Sequence, residues 1–148
     1  MTTPKQNTIA IICGGGPAPG INSVISSVTI EARKSGWEVY GIYDGIANLA
    51  KKEKKAISLS IDMVSRINAD GGSILRVSRY NPAKDERSLS NVVDTLCDLG
   101  VTHMVTIGGD DTACSASRIA GYAKAKLGIS INCVHVPKTI DNDLPLPE

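Results

Sequence analysis

Residues Thr8 to Cys13 read Thr-Ile-Ala-Ile-Ile-Cys and break into Gly14-Gly15-Gly16-Pro17-Ala18-Pro19-Gly20. An isoleucine-rich run without polar alternation is, as a strand, buried on both faces. Such a strand belongs to a parallel sheet covered by helices. The residues after the glycine run meet that demand. Ile21, Val24, Ile25, Val28 and Ala32 recur on one face at helical spacing, Arg33 and Lys34 fall in the last turn, and Gly36 closes the helix. Glu38 to Ile42 reads as a second strand, with Asp44-Gly45 as its turn. The order then returns. Glu86 to Leu99 reads as a helix with Leu89, Val92, Val93 and Leu96 inward, ended by Gly100. Thr102 to Ile107 is a strand, followed by Gly108-Gly109-Asp110-Asp111-Thr112 and a helix to about Leu127. Gly128 stops that helix, and Ile131 to Val136 is the last strand. Between the halves, Ile57 and Leu59 suit a short strand, and Ser60 suits the cap of a short helix from Ile61 to Ile67. Asp70-Gly71-Gly72-Ser73 reads as a turn or a phosphate-sized loop, and Asn81 to Asp85 as a loop broken by Pro82. The expected class is α/β, an open, mainly parallel sheet with helices on both faces.

Composition narrows the partners. A length of 148 residues fits one domain with a substantial core. Sixteen basic against fifteen acidic residues leave a net charge of +1, which favours neither nucleic acid nor an anionic membrane. The basic run Lys51-Lys52-Glu53-Lys54-Lys55 has no interleaved aromatic residue and reads as a solvated loop. No stretch has the length of a membrane span, and the N-terminus lacks the apolar core of a secretory signal. Cys13, Cys97, Cys114 and Cys133 show no paired CxxC spacing, so zinc is not expected. Cys13 and Cys133 are expected in buried strands as small hydrophobes, a usage that suits a reducing cytoplasm.

Ligands of such sheets bind outside the carboxyl ends of the strands. Three loops belong there: Gly14 to Gly20, Gly108 to Thr112, and Pro137 to Asp143. The first can bring backbone N–H groups to an anion beside a helix N-terminus, but a bare glycine turn serves structure equally well. In the second, Asp110 can hold Mg²⁺ that bridges phosphate oxygens, or one of Asp110, Asp111 and Thr112 simply caps the helix. In the third, Asp141 and Asp143 share a face of an extended segment, so one carboxylate can act as general base while the other holds metal or tunes charge. Lys138 adds a cation suited to a transferring phosphoryl group. The plainer alternative is an Asx-rich turn before the proline segment. Arg76 and Arg79 can clamp phosphate or lie on the surface, and His103 and His135 read as structural.

Together these stretches resemble the phosphofructokinase family: Gly14-Gly15-Gly16-Pro17-Ala18-Pro19-Gly20-Ile21-Asn22, Gly71-Gly72-Ser73-Ile74-Leu75, Gly108-Gly109-Asp110-Asp111-Thr112 and Pro137-Lys138-Thr139-Ile140-Asp141-Asn142-Asp143. The likeness runs from about Thr8 to the last residue. It implies a three-layer Rossmann-like fold, incomplete here, and phosphoryl transfer to the 1-hydroxyl of fructose 6-phosphate. By resemblance, Gly15 and Gly16 belong to the phosphoryl-donor loop, and Arg79, Gly109 and Thr112 to the donor site. Asp110 matches the Mg²⁺ aspartate, Thr139 a residue touching sugar phosphate and transferred group, Asp141 the general base and Asp143 a supporting carboxylate. Asp111 and Lys138 stand where ATP-dependent members carry glycine, which resembles the pyrophosphate-dependent branch, and Pro17 agrees with it. Arg76 has no account at this level.

The resemblance further implies that residues 1–148 form the N-terminal part of the donor-binding domain. A second, sugar-phosphate-binding domain is expected beyond them, and the isolated chain is expected to be inactive. The full-length protein is expected to be a cytoplasmic homo-oligomer, dimer or tetramer, with fructose 6-phosphate as substrate and no nucleic-acid or membrane partner. The competing readings are an ATP-dependent member of the family, a non-catalytic phosphate- or nucleotide-binding module, and a lipid or NAD kinase.

Overall fold

Strand β1 (Thr8–Cys13) is buried along its whole length in the computed structural model, which describes residues 7–141. The reason lies in its two faces. Ala10 and Ile12 enter one apolar cluster, whereas Ile9, Ile11 and Cys13 enter another. Both faces therefore need apolar side chains, and alternation disappears. The first cluster is closed by α2 (Ala47–Ala50), α4 (Glu86–Asp98) and α5 (Asp110–Leu127); the second by α1 (Ile21–Lys34) and α3 (Ile61–Val64). The result is three layers with helices on both faces.

The sheet runs β3-β2-β1-β4-β5, with β2 at Glu38–Ile42, β3 at Ala56–Ser58, β4 at His103–Gly108 and β5 at Asn132–Pro137. All pairings are parallel except β2 with β3. The expected strands and long helices thus lie within a residue or two of their sequence bounds. The segment after Ser60 departs from expectation. Ser60 does cap, its Oγ accepting the Met63 N–H at 3.3 Å, but α3 stops at Val64 and a separate 3₁₀ turn covers Ile67–Ala69. Cys133 departs too. It is exposed, because β5 is an edge strand among the described residues, while Cys13 is fully buried and its thiol is pushed up to about 11 by burial.

The open readings of the middle segment resolve toward structure. Buried Asn22 donates from Nδ2 to the carbonyls of Asp70 and Gly71 (both 3.2 Å) and accepts the Ile74 N–H at 2.9 Å. The Asp70–Ser73 loop is therefore a turn fastened to α1. Arg76 takes φ 58°, lies 3.4 Å from Asp44 Oδ2 and stacks over the Tyr43 ring at 5.6 Å, tying this turn to the one after β2. The lysine run is solvated, with Lys52 and Lys54 paired to Asp94 and Asp98 of α4. Among the described residues no helix is long and apolar enough to cross a membrane.

Candidate active site

The chain leaves β1 toward β2 on one side of the sheet, whereas β4 lies on the other side, so a crevice opens between the carboxyl ends of β1 and β4. Backbone hydrogen bonds lock its rims together. Gly14 N–H donates to Ile107 O at 2.8 Å, Gly15 N–H to Ser78 O at 2.9 Å, and Lys138 N–H to Gly108 O at 2.8 Å. The crevice holds a pocket of about 300 Å³, at the small end of the range for small-molecule sites. Gly15, Gly16, Arg79, Gly109, Asp110, Asp111, Thr112, Lys138, Thr139 and Asp141 all line it. Asp143 lies outside the described residues, as does Asn142.

The glycines have reasons that spacing did not disclose. Lys138 reaches across the first loop, its Nζ donating to Gly16 O at 2.6 Å. A Cβ on Gly15, whose φ is +80°, would lie 3.3 Å from that Nζ, and one on Gly16 would lie 3.0 Å from Ile140 Cδ1. The loop is bare because the Lys138–Ile140 segment rests on it. Two of its N–H groups already serve backbone carbonyls, and Pro17 and Pro19 have none. Of the loop glycines that line the pocket, Gly14 and Gly15 are thus engaged, and an anion there would meet the Gly16 N–H and the cations of Arg79 and Lys138.

Thr112 is buried and wedged between the two glycine loops. A methyl group on Gly14 would overlap its hydroxyl and lie 2.8 Å from Cγ2 and 3.1 Å from Cβ. Gly14→Ala is expected to lower stability by about 1–3 kcal/mol, read as a lower urea midpoint. Thr112→Ala added to it should recover part of the loss, because the two tightest contacts, with the hydroxyl and Cγ2, are then removed.

The N-cap of α5 is Gly109, with no side-chain cap, so the expectation that Asp110, Asp111 or Thr112 fills that position is corrected. Asp110 and Asp111 stand in the first turn, where their charge suits the positive helix end, and both are exposed. Asp110 Oδ1 accepts the Asp111 N–H at 2.8 Å. The charged lining is Arg79 and Lys138 against Asp110, Asp111 and Asp141, one carboxylate in excess. A polyphosphate would meet net repulsion unless a divalent cation entered with it. Among the described residues no group of three or more His, Cys, Asp or Glu forms a metal cage. Sparse carboxylate oxygens fit Mg²⁺, which keeps waters and takes one or two carboxylates together with ligand phosphates.

Sequence reasoning missed several lining residues: Ile46, Ser78, Tyr80, Asn81, Ser115 and Ile140. Tyr80 and Asn81 directly follow Arg79, and that adjacency was the available signal. Tyr80 is held from behind. Ser88 Oγ donates to Asp85 Oδ2 at 2.8 Å, so it accepts from the Tyr80 hydroxyl at 2.8 Å. Asp85 is the N-cap of α4. Ile46 and Ser115 carry no local signal.

His135 of β5 sits under the site. Burial pulls its pKa below the ordinary 6.5, against the opposing hydrogen bond to Gly108 O. A lowered folded value means the unfolded chain binds more protons just below the ordinary value. The contribution to stability is therefore present above about 6.5 and is lost as pH falls through the folded value. Urea midpoints between pH 7.5 and 5.5 should fall more steeply for wild type than for His135→Gln.

The phosphofructokinase family model matches residues 8–148. A relative from Thermotoga maritima, named pyrophosphate–fructose 6-phosphate 1-phosphotransferase, is 59% identical over 95% of this chain and 33% of its own. A Trypanosoma brucei brucei relative, named ATP-dependent 6-phosphofructokinase, is 40% identical over 95% of this chain and 28% of its own. The crystal structure of the pyrophosphate-dependent phosphofructokinase from Marinobacter aquaeolei superposes with a TM-score of 0.82 at 26% identity, covering 94% of this chain and 35% of that one. The chain thus spans about a third of the length of the curated relatives it matches.

Proposed function

The chain belongs to the phosphofructokinase family, and on that premise we propose that it carries the donor site and catalytic base for phosphoryl transfer from pyrophosphate to fructose 6-phosphate. The observation that carries this reading is the meeting of Asp111, Lys138 and Asp141 in one small pocket. The 1-hydroxyl oxygen of the sugar phosphate attacks one phosphorus of pyrophosphate, and the bridging P–O bond breaks. Fructose 1,6-bisphosphate and inorganic phosphate result, and the hydroxyl proton passes to the Asp141 carboxylate. Lys138 and Arg79 offset charge on the donor and the leaving phosphate. Thr139 and Asp143 act beside the base, Thr139 toward the transferred group and Asp143 as a supporting carboxylate. Asp110 would hold Mg²⁺, which would neutralise donor charge. Asp111 places bulk and negative charge where the further phosphate of a nucleotide would pass, and the name of the Thermotoga maritima relative supports pyrophosphate.

In this reading residues 1–148 are the N-terminal part of a donor-binding domain, and the sugar phosphate is held by a second domain in a cytoplasmic homo-oligomer. The limited coverage of the relatives supports that division. ATP is the second reading for the donor, favoured by the Trypanosoma brucei brucei relative. The test incubates the complete gene product with fructose 6-phosphate, Mg²⁺ and pyrophosphate, followed by ³¹P NMR. Equal formation of phosphate and fructose 1,6-bisphosphate, stopped by chelating Mg²⁺, is expected. Binding of pyrophosphate or ATP without turnover of either would overturn catalysis and favour a binding module.

A further inference from the structure

One carbonyl oxygen joins two of the three loops of the pocket. Gly108 O accepts the Lys138 N–H at 2.8 Å and faces His135 Nε2 at 3.1 Å. A carbonyl only accepts, so Nε2 carries the hydrogen. The other ring nitrogen, Nδ1, lies 2.9 Å from Thr106 Oγ1, and Thr106 is 0% exposed. In the neutral ring Nδ1 then accepts from the Thr106 hydroxyl, which water does not reach. The imidazole is thereby fixed in tautomer and orientation between a buried side chain of β4 and the last carbonyl of the same strand. That carbonyl immediately precedes Gly109 and Asp110, and the amide it holds is that of Lys138, whose ammonium crosses to Gly16 O at 2.6 Å.

We propose that His135 is a positioning residue. It fixes Gly108 O, and through that atom sets the spacing between the Gly108–Asp110 turn and the segment from Lys138 to Asp141. The backbone ladder of β4 and β5 already supplies the Lys138 hydrogen bond. The imidazole adds a second, side-chain restraint on the same oxygen, from the β5 residue that pairs in register with Thr106. Without it Gly108 O keeps the Lys138 N–H alone, the Thr106 hydroxyl loses its bond to Nδ1, and the spacing between the turn carrying Asp110 and Lys138 rests on that single backbone hydrogen bond. Displacement of about 1 Å between reacting groups can cost about 10²-fold in rate. As to chemistry, this inference rests on the phosphoryl-transfer reading; as to geometry, it does not.

The test compares wild type, His135→Gln and His135→Leu in the complete gene product. Glutamine places an amide N–H near the position of Nε2, whereas leucine fills the space without a donor. In His135→Leu, kcat/KM for pyrophosphate should fall about 10- to 100-fold with KM for fructose 6-phosphate within about threefold, and His135→Gln should recover most of the loss. Hydrogen exchange at the Lys138 amide should quicken in His135→Leu and stay near wild type in His135→Gln. The imidazole ¹⁵N shifts of wild type should report the Nε2–H tautomer. Unchanged kinetics in His135→Leu with only a lowered urea midpoint would overturn the proposal, as would the Nδ1–H tautomer. If wild type turns over no fructose 6-phosphate, the reaction assigned above fails, and the exchange and ¹⁵N arms still decide the positioning role.

Discussion

Asp141→Ser in the complete gene product lowers kcat by about 10²- to 10⁴-fold, the range for losing a general base, while KM for fructose 6-phosphate changes little. Serine keeps a small polar group but cannot hold a proton taken from an alcohol at neutral pH. Asp141 is exposed in the pocket, three residues beyond Lys138, and the Lys138 main chain is pinned to Gly108. The carboxylate therefore starts from an anchored segment, and its replacement leaves Arg79 and Asp110, the residues proposed for the donor and for Mg²⁺, unchanged in the pocket. The loss should appear in kcat and kcat/KM alike, because the contact is made to the reacting proton. Near-normal turnover would remove Asp141 from the chemistry.

The paired substitution Asp111→Gly with Lys138→Gly shifts donor preference toward ATP. Removing Lys138 deletes the cation that lies across the glycine loop at 2.6 Å from Gly16 O. A hydrogen bond to a charged group is worth about 1.5–3 kcal/mol, so kcat/KM for pyrophosphate should fall by roughly 10- to 100-fold. Removing Asp111 opens space and deletes a negative charge in the first turn of α5, on the path proposed above for a longer polyphosphate. The ratio of ATP to pyrophosphate kcat/KM should therefore rise by more than either single change achieves. An unaltered ratio would show that donor choice is made elsewhere in the protein. Glycine at 111 also lowers helix propensity, so urea midpoints of the four proteins are needed to separate fold from donor effects.

The parts of the fold written in local pattern were legible in the sequence. The unalternating Thr8–Cys13 run demanded cover on two faces, and Ala10 and Ile12 against Ile9 and Ile11 show both covers. The helical period from Ile21 to Ala32 and the stops at Gly100 and Gly128 located three long helices. Strand order was not legible, because a strand's composition reports apolarity and not its neighbours. Cys133 was misplaced for that reason, lying on an edge. The break after Val64 also escaped, since Ile67 continues an apolar pattern that the chain abandons for a 3₁₀ turn.

For the site, residue types in the loops were legible, while the ties between loops were not. The hydrogen bond from Lys138 to Gly16 spans 122 residues, and those from Asn22 to the Asp70–Ile74 turn span about fifty. Local reading left the Gly14–Gly20 loop open between a structural turn and an anion loop, whereas a Cβ on Gly15 or Gly16 would meet Lys138, Ile140 and Arg79 of this chain. It likewise offered Asp110 and Asp111 as caps, when Gly109 takes that place and leaves both carboxylates exposed at the pocket.

The most direct test of this account is a competition. The complete gene product receives fructose 6-phosphate, Mg²⁺ and equal concentrations of pyrophosphate and ATP, and ³¹P NMR follows both donors in one tube. Pyrophosphate is expected to be consumed as fructose 1,6-bisphosphate forms, while the ATP signals persist. Consumption of ATP with pyrophosphate left intact would contradict it.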